Sequence, residues 1–163
     1  TQHMRSLVHR FSLALVVASA LSASGLAFAH GNDQDEVRHA MMSVFDKPSE
    51  PLKVNPVVSA GDHAVAGWTQ GGKGGRAVLQ KTHGKWSIVV CGGDGLKDPA
   101  ALVQTGMPPA TAATLAKAMA SAESKLNPEL VRQFGMFDGI VKVDAGHGAG
   151  PAKHHAEQTA IKK

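Results

Sequence analysis

Tyrosine is missing from this chain, and cysteine occurs once, at Cys91. Aromatic residues make up only 4% of the 163 residues, as two Trp and five Phe. A single cysteine excludes an internal disulfide, so no covalent staple holds the fold. With so few aromatics, a core must rest on Val, Leu, Ala, Met and the two Trp. The lysines are scattered and not interleaved with aromatic residues, which excludes the basic footprint of a nucleic-acid-binding protein. No CxxC, HExxH or GxSxG occurs, so compact zinc, metalloprotease and serine-hydrolase signatures are absent as well.

Long apolar runs are also missing, with one exception. Phe11–Leu21 (FSLALVVASAL) has the length of a signal-peptide core and falls short of the roughly 20 residues that span a bilayer. Arg5, His9 and Arg10 give it a positive start, and Ala27-Phe28-Ala29 supplies the small residues a signal peptidase reads. Thr1–His3 precede Met4 and are set aside. The pattern predicts a secretory leader over 1–29, cleaved after Ala29, and its length opposes an uncleaved membrane anchor. No Cys follows the run, so the new N-terminus offers no thiol for lipid attachment. Cleavage removes Arg5 and Arg10 and no acidic residue, so the net charge falls from +4 to about +2. The expected division is a leader over 1–29, one domain over 30–144 and a disordered tail over 145–163 that carries His147, His154 and His155.

Within the domain, turn signals alternate with strand patterns. Asp35–Asp46 reads as a helix with acidic residues in its first turn and Val37, Ala40, Met41 and Val44 on one face. Residues 30–34 read as loose. Four strands follow, over 52–60, 63–70, 76–82 and 85–91, and the short turns between them predict antiparallel neighbours. Pro56 marks an edge strand or a bend, and Gly71–Gly75 (GGKGG) reads as a flexible loop. Alternation in the fourth strand sets Trp86, Ile88 and Val90 on one face and Ser87, Val89 and Cys91 on the other.

After Gly92-Gly93-Asp94-Gly95, the pairs Asp98-Pro99 and Asn127-Pro128 are cap-plus-proline helix starts. Pro108-Pro109 opens a longer helix with Leu115, Met119, Ala122 and Leu126 on one stripe. A terminal strand over 139–143 rejoins the sheet. The expected class is α+β: an N-terminal helix, an antiparallel β-meander of about four strands, and C-terminal helices packed on one face of the sheet.

Three features could carry chemistry. The CGGDG strand exit could rest an anion on its backbone amides, and it also reads as a plain strand exit. Cys91 could act as a nucleophile, although nothing near it in sequence marks an oxyanion hole. His39 and Met42, three apart on the first helix, are neighbours on a face turned away from the core stripe. Thioether and imidazole together suit copper(I), and Cys91, His63 and His83 could complete the set from the sheet. The ordinary reading stands beside it: Met fills gaps, and His lies on many surfaces. A mature N-terminal His30 would add an amine and an imidazole, a pairing that suits copper(II).

GDHAVAGWTQGGKGGRAVLQKTHGKWSIVVCGGDGLKD, with HAMMSVFDKP before it and GMPPATAATLAKAMASAESKL after it, resembles a family of small bacterial periplasmic proteins described as copper uptake system-associated. The resemblance runs from about Val37 to Val141. It implies a periplasmic, non-enzymatic role in copper acquisition, with copper transport or chaperone proteins as partners. It favours His39, Met42 and Cys91 as metal ligands, copper(I) as the ion, and no nucleic acid or membrane as partner once the leader is removed. Two alternatives differ in class: a metal-free interaction module using the sheet surface near Trp68 and GGKGG, and a thiol-dependent enzyme using Cys91.

Overall fold

A computed structural model describes residues 30–143 of the chain. The expected leader and the tail after Val143 lie outside the described residues. The protein is α+β, with helices around a five-stranded antiparallel sheet in the order β1-β2-β3-β4-β5. The strands are β1 (Lys53–Ala60), β2 (His63–Gln70), β3 (Lys73–Thr82), β4 (Lys85–Gly92) and β5 (Ile140–Lys142). The helices are α1 (His30–Phe45), α2 (Pro99–Gln104), α3 (Pro109–Glu123) and α4 (Pro128–Phe134).

Two-residue turns make the meander. Ala60 pairs with His63, Gln70 with Lys73 and Thr82 with Lys85, leaving Gly61-Asp62, Gly71-Gly72 and His83-Gly84 as the connections. Gly71 and Gly72 both have positive φ, the backbone that a tight hairpin needs and that glycine adopts without a Cβ clash. GGKGG is therefore no loose loop. Its first two glycines turn the chain, and Lys73 already begins β3.

The helices begin where their sequences place caps. The Asp98 carboxylate accepts from the Ala100 N–H at 2.8 Å and the Asn127 side chain from the Glu129 N–H at 2.9 Å, each followed by Pro. Helix α1 starts five residues ahead of the sequence expectation. Its first turn is tied in two ways: Asn32 donates to Glu36, and Lys81 reaches from β3 to Asp33 at 2.7 Å. A lysine from a distant strand is not visible in the local pattern of 30–34.

The sheet buries both faces. On one, α1 covers a cluster that includes Val37, Met41, Ala66, Ala77, Trp86, Ile88 and Cys91. On the other, α2 and α3 cover Val65, Val78 and Val90 with Leu96, Leu102, Leu115 and Met119. A register break between Val78 and Leu79 inserts one extra residue into β4 and overturns the simple alternation. Val89 and Val90 both pack on the α2–α3 face, and Cys91 joins Trp86 and Ile88 on the α1 face. A bulge re-aims every later side chain, and nothing in VVC marks one.

Candidate functional site

Helix α1 divides its residues as its periodicity predicts except at Val44, which the spacing sets on the inner face and which is 41% exposed in the last turn. Val37 and Met41 are buried against the sheet. His39 is exposed and Met42 is 42% exposed, so both stand on the solvent side. At a separation of three residues they are neighbours on the helix surface. Three polar ties hold the helix down: Lys81 to Asp33, the Arg38 Nε–H to the Val54 carbonyl at 3.3 Å, and the Gln70 amide to the Phe45 carbonyl at 2.7 Å. Lys81 also reaches Glu36 at 3.4 Å and lies 5.4 Å over the Trp86 ring. The hydrogen bond with Asp33 is the first cause that holds the lysine above its usual pKa range.

Cys91 lies on the sheet beneath this helix. It is 6% exposed, and burial alone pushes its pKa up to about 11. At neutral pH a thiol with that pKa is roughly one part in ten thousand thiolate. The structure thus places His39 and Met42 together outside α1, and Cys91 in the cluster that the inner face of α1 covers. The bulge in β4 is what turns Cys91 toward the helix at all. His63, half-buried, opens β2, and exposed His83 sits in the β3–β4 turn with φ of 51°. Among the described residues, no three His, Cys, Asp or Glu side chains converge to hold a metal ion. The tail histidines fall outside the described residues.

The glycine motifs have packing roles. A Cβ on Gly67 would lie 2.9 Å from the Phe134 ring, and one on Gly74 would lie 2.8 Å from the Gln133 carbonyl. A Cβ on Gly75 would strike the Trp68 ring at 2.8 Å. The CGGDG exit is similar, since a Cβ on Gly93 would collide with the Phe137 carbonyl and lie 3.1 Å from the Gly135 carbonyl. The space at that exit is filled by the Phe137 and Gly135 carbonyls, and the adjoining Asp94 carboxylate is paired with Arg76 at 3.0 Å. Trp68 is half-buried, edge-on to Phe137 at 5.9 Å, so the sheet surface near Trp68 and Gly74-Gly75 is covered by α4 and the loop after it. Among the described residues, the indole N–H groups of Trp68 and Trp86 are buried without a hydrogen-bond partner.

A buried ion pair escaped the sequence reading. Arg76 is 0% exposed and forms a two-pronged bond with Glu123, itself 5% exposed, at 2.7 and 2.8 Å. Its remaining fork donates to Asp94 at 3.0 Å and to the Phe134 carbonyl at 3.4 Å, and its guanidinium lies 5.7 Å over the Phe134 ring. One side chain therefore ties β3 to α3, to α4 and to the turn at Asp94–Lys97. The available signal was Glu123 itself, four residues past Met119 on the apolar stripe of α3.

Among the described residues, no helix is long and apolar enough to cross a membrane. Compared with known proteins, the chain matches no protein-family model, no curated protein and no solved structure.

Proposed function

We propose that this chain is a non-enzymatic periplasmic accessory protein of copper acquisition that takes up copper(I) on the outer face of α1. The observation that carries the reading is the exposed His39–Met42 pair, imidazole beside thioether, on a helix that buries Val37 and Met41 against the sheet. Soft sulfur and imidazole donors select copper(I) among available ions. The resemblance to copper uptake system-associated proteins supports the same reading. Two ligands leave coordination positions open, which suits passing an ion to or from a transport or chaperone partner. In this arrangement Cys91 is not an initial ligand, because burial keeps it protonated beneath the helix.

Titration of the reduced protein with copper(I) against a competing chelator tests the proposal. The wild type and Cys91→Ser are expected to compete for the ion, and His39→Ala/Met42→Ala to lose at least about tenfold in affinity, one soft ligand being worth that much or more. Failure of the wild type to compete, or full binding by the double variant, overturns it.

A second reading is a metal-free interaction module. One observation favours it: apolar Met136, Ile140 and Val141 are 63%, 48% and 52% exposed along one edge of the domain. Copper-independent retention of a periplasmic transport protein, abolished by Val141→Lys and kept in the His39→Ala/Met42→Ala variant, would establish it over the first. A thiol-dependent enzyme is disfavoured by the burial and raised pKa of Cys91.

A further inference from the structure

Five of the six methionines lie among the described residues, and they divide by exposure. Met41, Met107 and Met119 are 1%, 2% and 3% exposed, packed in the clusters on the two faces of the sheet. Met42 is 42% exposed and Met136 is 63% exposed. Met41 and Met42 are consecutive, so one helical step of about 100° separates a sealed thioether from an open one. An oxidant must reach the sulfur lone pair, so the open thioethers are the reactive ones. In cysteine, oxidation follows thiolate character as well as exposure. Burial hides the Cys91 sulfur and keeps it protonated, so the thiol is a poor target here.

We propose that Met42 is a reversible oxidation site, and that its conversion to the sulfoxide by hydrogen peroxide shuts off copper(I) uptake on α1. The inference rests on the copper reading above. The step balances with the peroxide as its only co-reactant. The thioether lone pair attacks one peroxide oxygen, and the S–O bond forms as the O–O bond breaks. Sulfur is oxidised by two electrons and the peroxide is reduced by two. Hydroxide departs and takes the proton from the transferred oxygen, so the products are sulfoxide and water. Two thiols reverse the change through a methionine sulfoxide reductase, giving thioether, disulfide and water. The sulfoxide is polar and no longer offers the soft thioether that copper(I) selects. His39 is then left without its sulfur neighbour. The added oxygen on Met42 points to water, so the fold is kept. Met136 is open to the same oxidant, but no histidine lies within five residues of it, so its change is silent for copper.

Peroxide treatment of the reduced, metal-free full chain, followed by peptide mass spectrometry, tests the site. Met42 and Met136 are expected to oxidise at least about tenfold faster than Met41, Met107 and Met119, with Cys91 still a thiol. Copper(I) titration against a competing chelator tests the consequence. The oxidised protein is expected to bind at least about tenfold more weakly than the untreated protein, with its urea midpoint unchanged. An equal loss in Met136→Leu, no further loss on oxidising Met42→Leu, and recovery after methionine sulfoxide reductase assign the effect to Met42. Oxidation of Met42 no faster than that of Met41, or full copper(I) binding by protein carrying the Met42 sulfoxide, overturns the inference and leaves the copper reading standing. A lowered urea midpoint that accounts for the lost binding overturns it in the same way. Failure of the untreated chain to bind copper(I) overturns the copper reading itself, and this inference with it.

Discussion

The two faces of the sheet are built by different means. The α1 face is an apolar cluster under one helix, with two indole N–H groups unpartnered among the described residues, and its polar ties lie around the rim. The opposite face holds α2 and α3 over an apolar cluster, and beside it a charged pair is sealed in: Arg76 grips Glu123, Asp94 and the end of α4 at once. Glycines at 67 and 74 let α4 approach the strands on that same side. Rim ties in water are individually weak, whereas a buried charge left without its partner is strongly penalised. The α2–α4 side is therefore the fixed scaffold. The helix bearing His39 and Met42 is held by Val37 and Met41 in the apolar cluster and by those rim ties, with no buried charge pair of its own among the described residues.

Breaking the scaffold side should have the largest effect. Glu123→Ala strands the Arg76 guanidinium in the interior and should cost about 3–5 kcal/mol in urea unfolding. Arg76→Met with Glu123→Leu removes both charges and should recover most of that loss, since an apolar replacement of a buried pair is often neutral. If the single and double variants are equally unstable, the charge argument fails and packing alone explains the site.

Gly67→Ala comes next. Its Cβ would lie 2.9 Å from the Phe134 ring, and crowding of that kind costs about 1–3 kcal/mol. A thermal midpoint equal to that of wild type would show that α4 yields easily, which would weaken the contrast between the faces.

The α1 face has its own pH signature, of similar size and confined to alkaline solution. The thiol of Cys91 ionises near 9.0 when unfolded and at about 11 when folded. The folded chain therefore holds a proton that the unfolded chain gives up between those values, and stability falls as pH rises from 9 toward 11. The loss should reach roughly 2–3 kcal/mol at its upper end. Urea midpoints at pH 8 and pH 10.5 should diverge in the wild type by more than in Cys91→Ala. Equal divergence would show that Cys91 is open to solvent and would return it to the set of available ligands.

The smallest effect sharpens the comparison most. His39→Ala/Met42→Ala should leave stability within about 0.5 kcal/mol, as expected for exposed positions. A larger loss in thermal unfolding would mean that these residues pack, and the outer face of α1 would no longer be a free surface.

Much of the fold was legible because its signals are local. Hairpin turns declare themselves within four residues, as at Gly61-Asp62 and His83-Gly84, and caps do so at Asp98-Pro99 and Asn127-Pro128. The outward placement of His39 and Met42 followed from helical spacing alone. The loop reading of GGKGG failed because Gly74 and Gly75 already pair with Thr69 and Trp68 in the hairpin, and because Gly74 answers to Gln133, a residue that sequence spacing does not bring near. The face assigned to Cys91 failed because a bulge changes the alternation that the reading assumed.

The sequence by itself determined the α+β order of elements, the antiparallel meander and the exposed imidazole–thioether pair, because each depends on residues a few positions apart. Tertiary structure alone decided that Cys91 lies under α1 rather than beside that pair. It also decided that Arg76 spends its charge on Glu123, 47 residues away, and that the glycine motifs serve packing. Those outcomes depend on which distant backbones meet, and the energy of such meetings is not written in the spacing of any one segment.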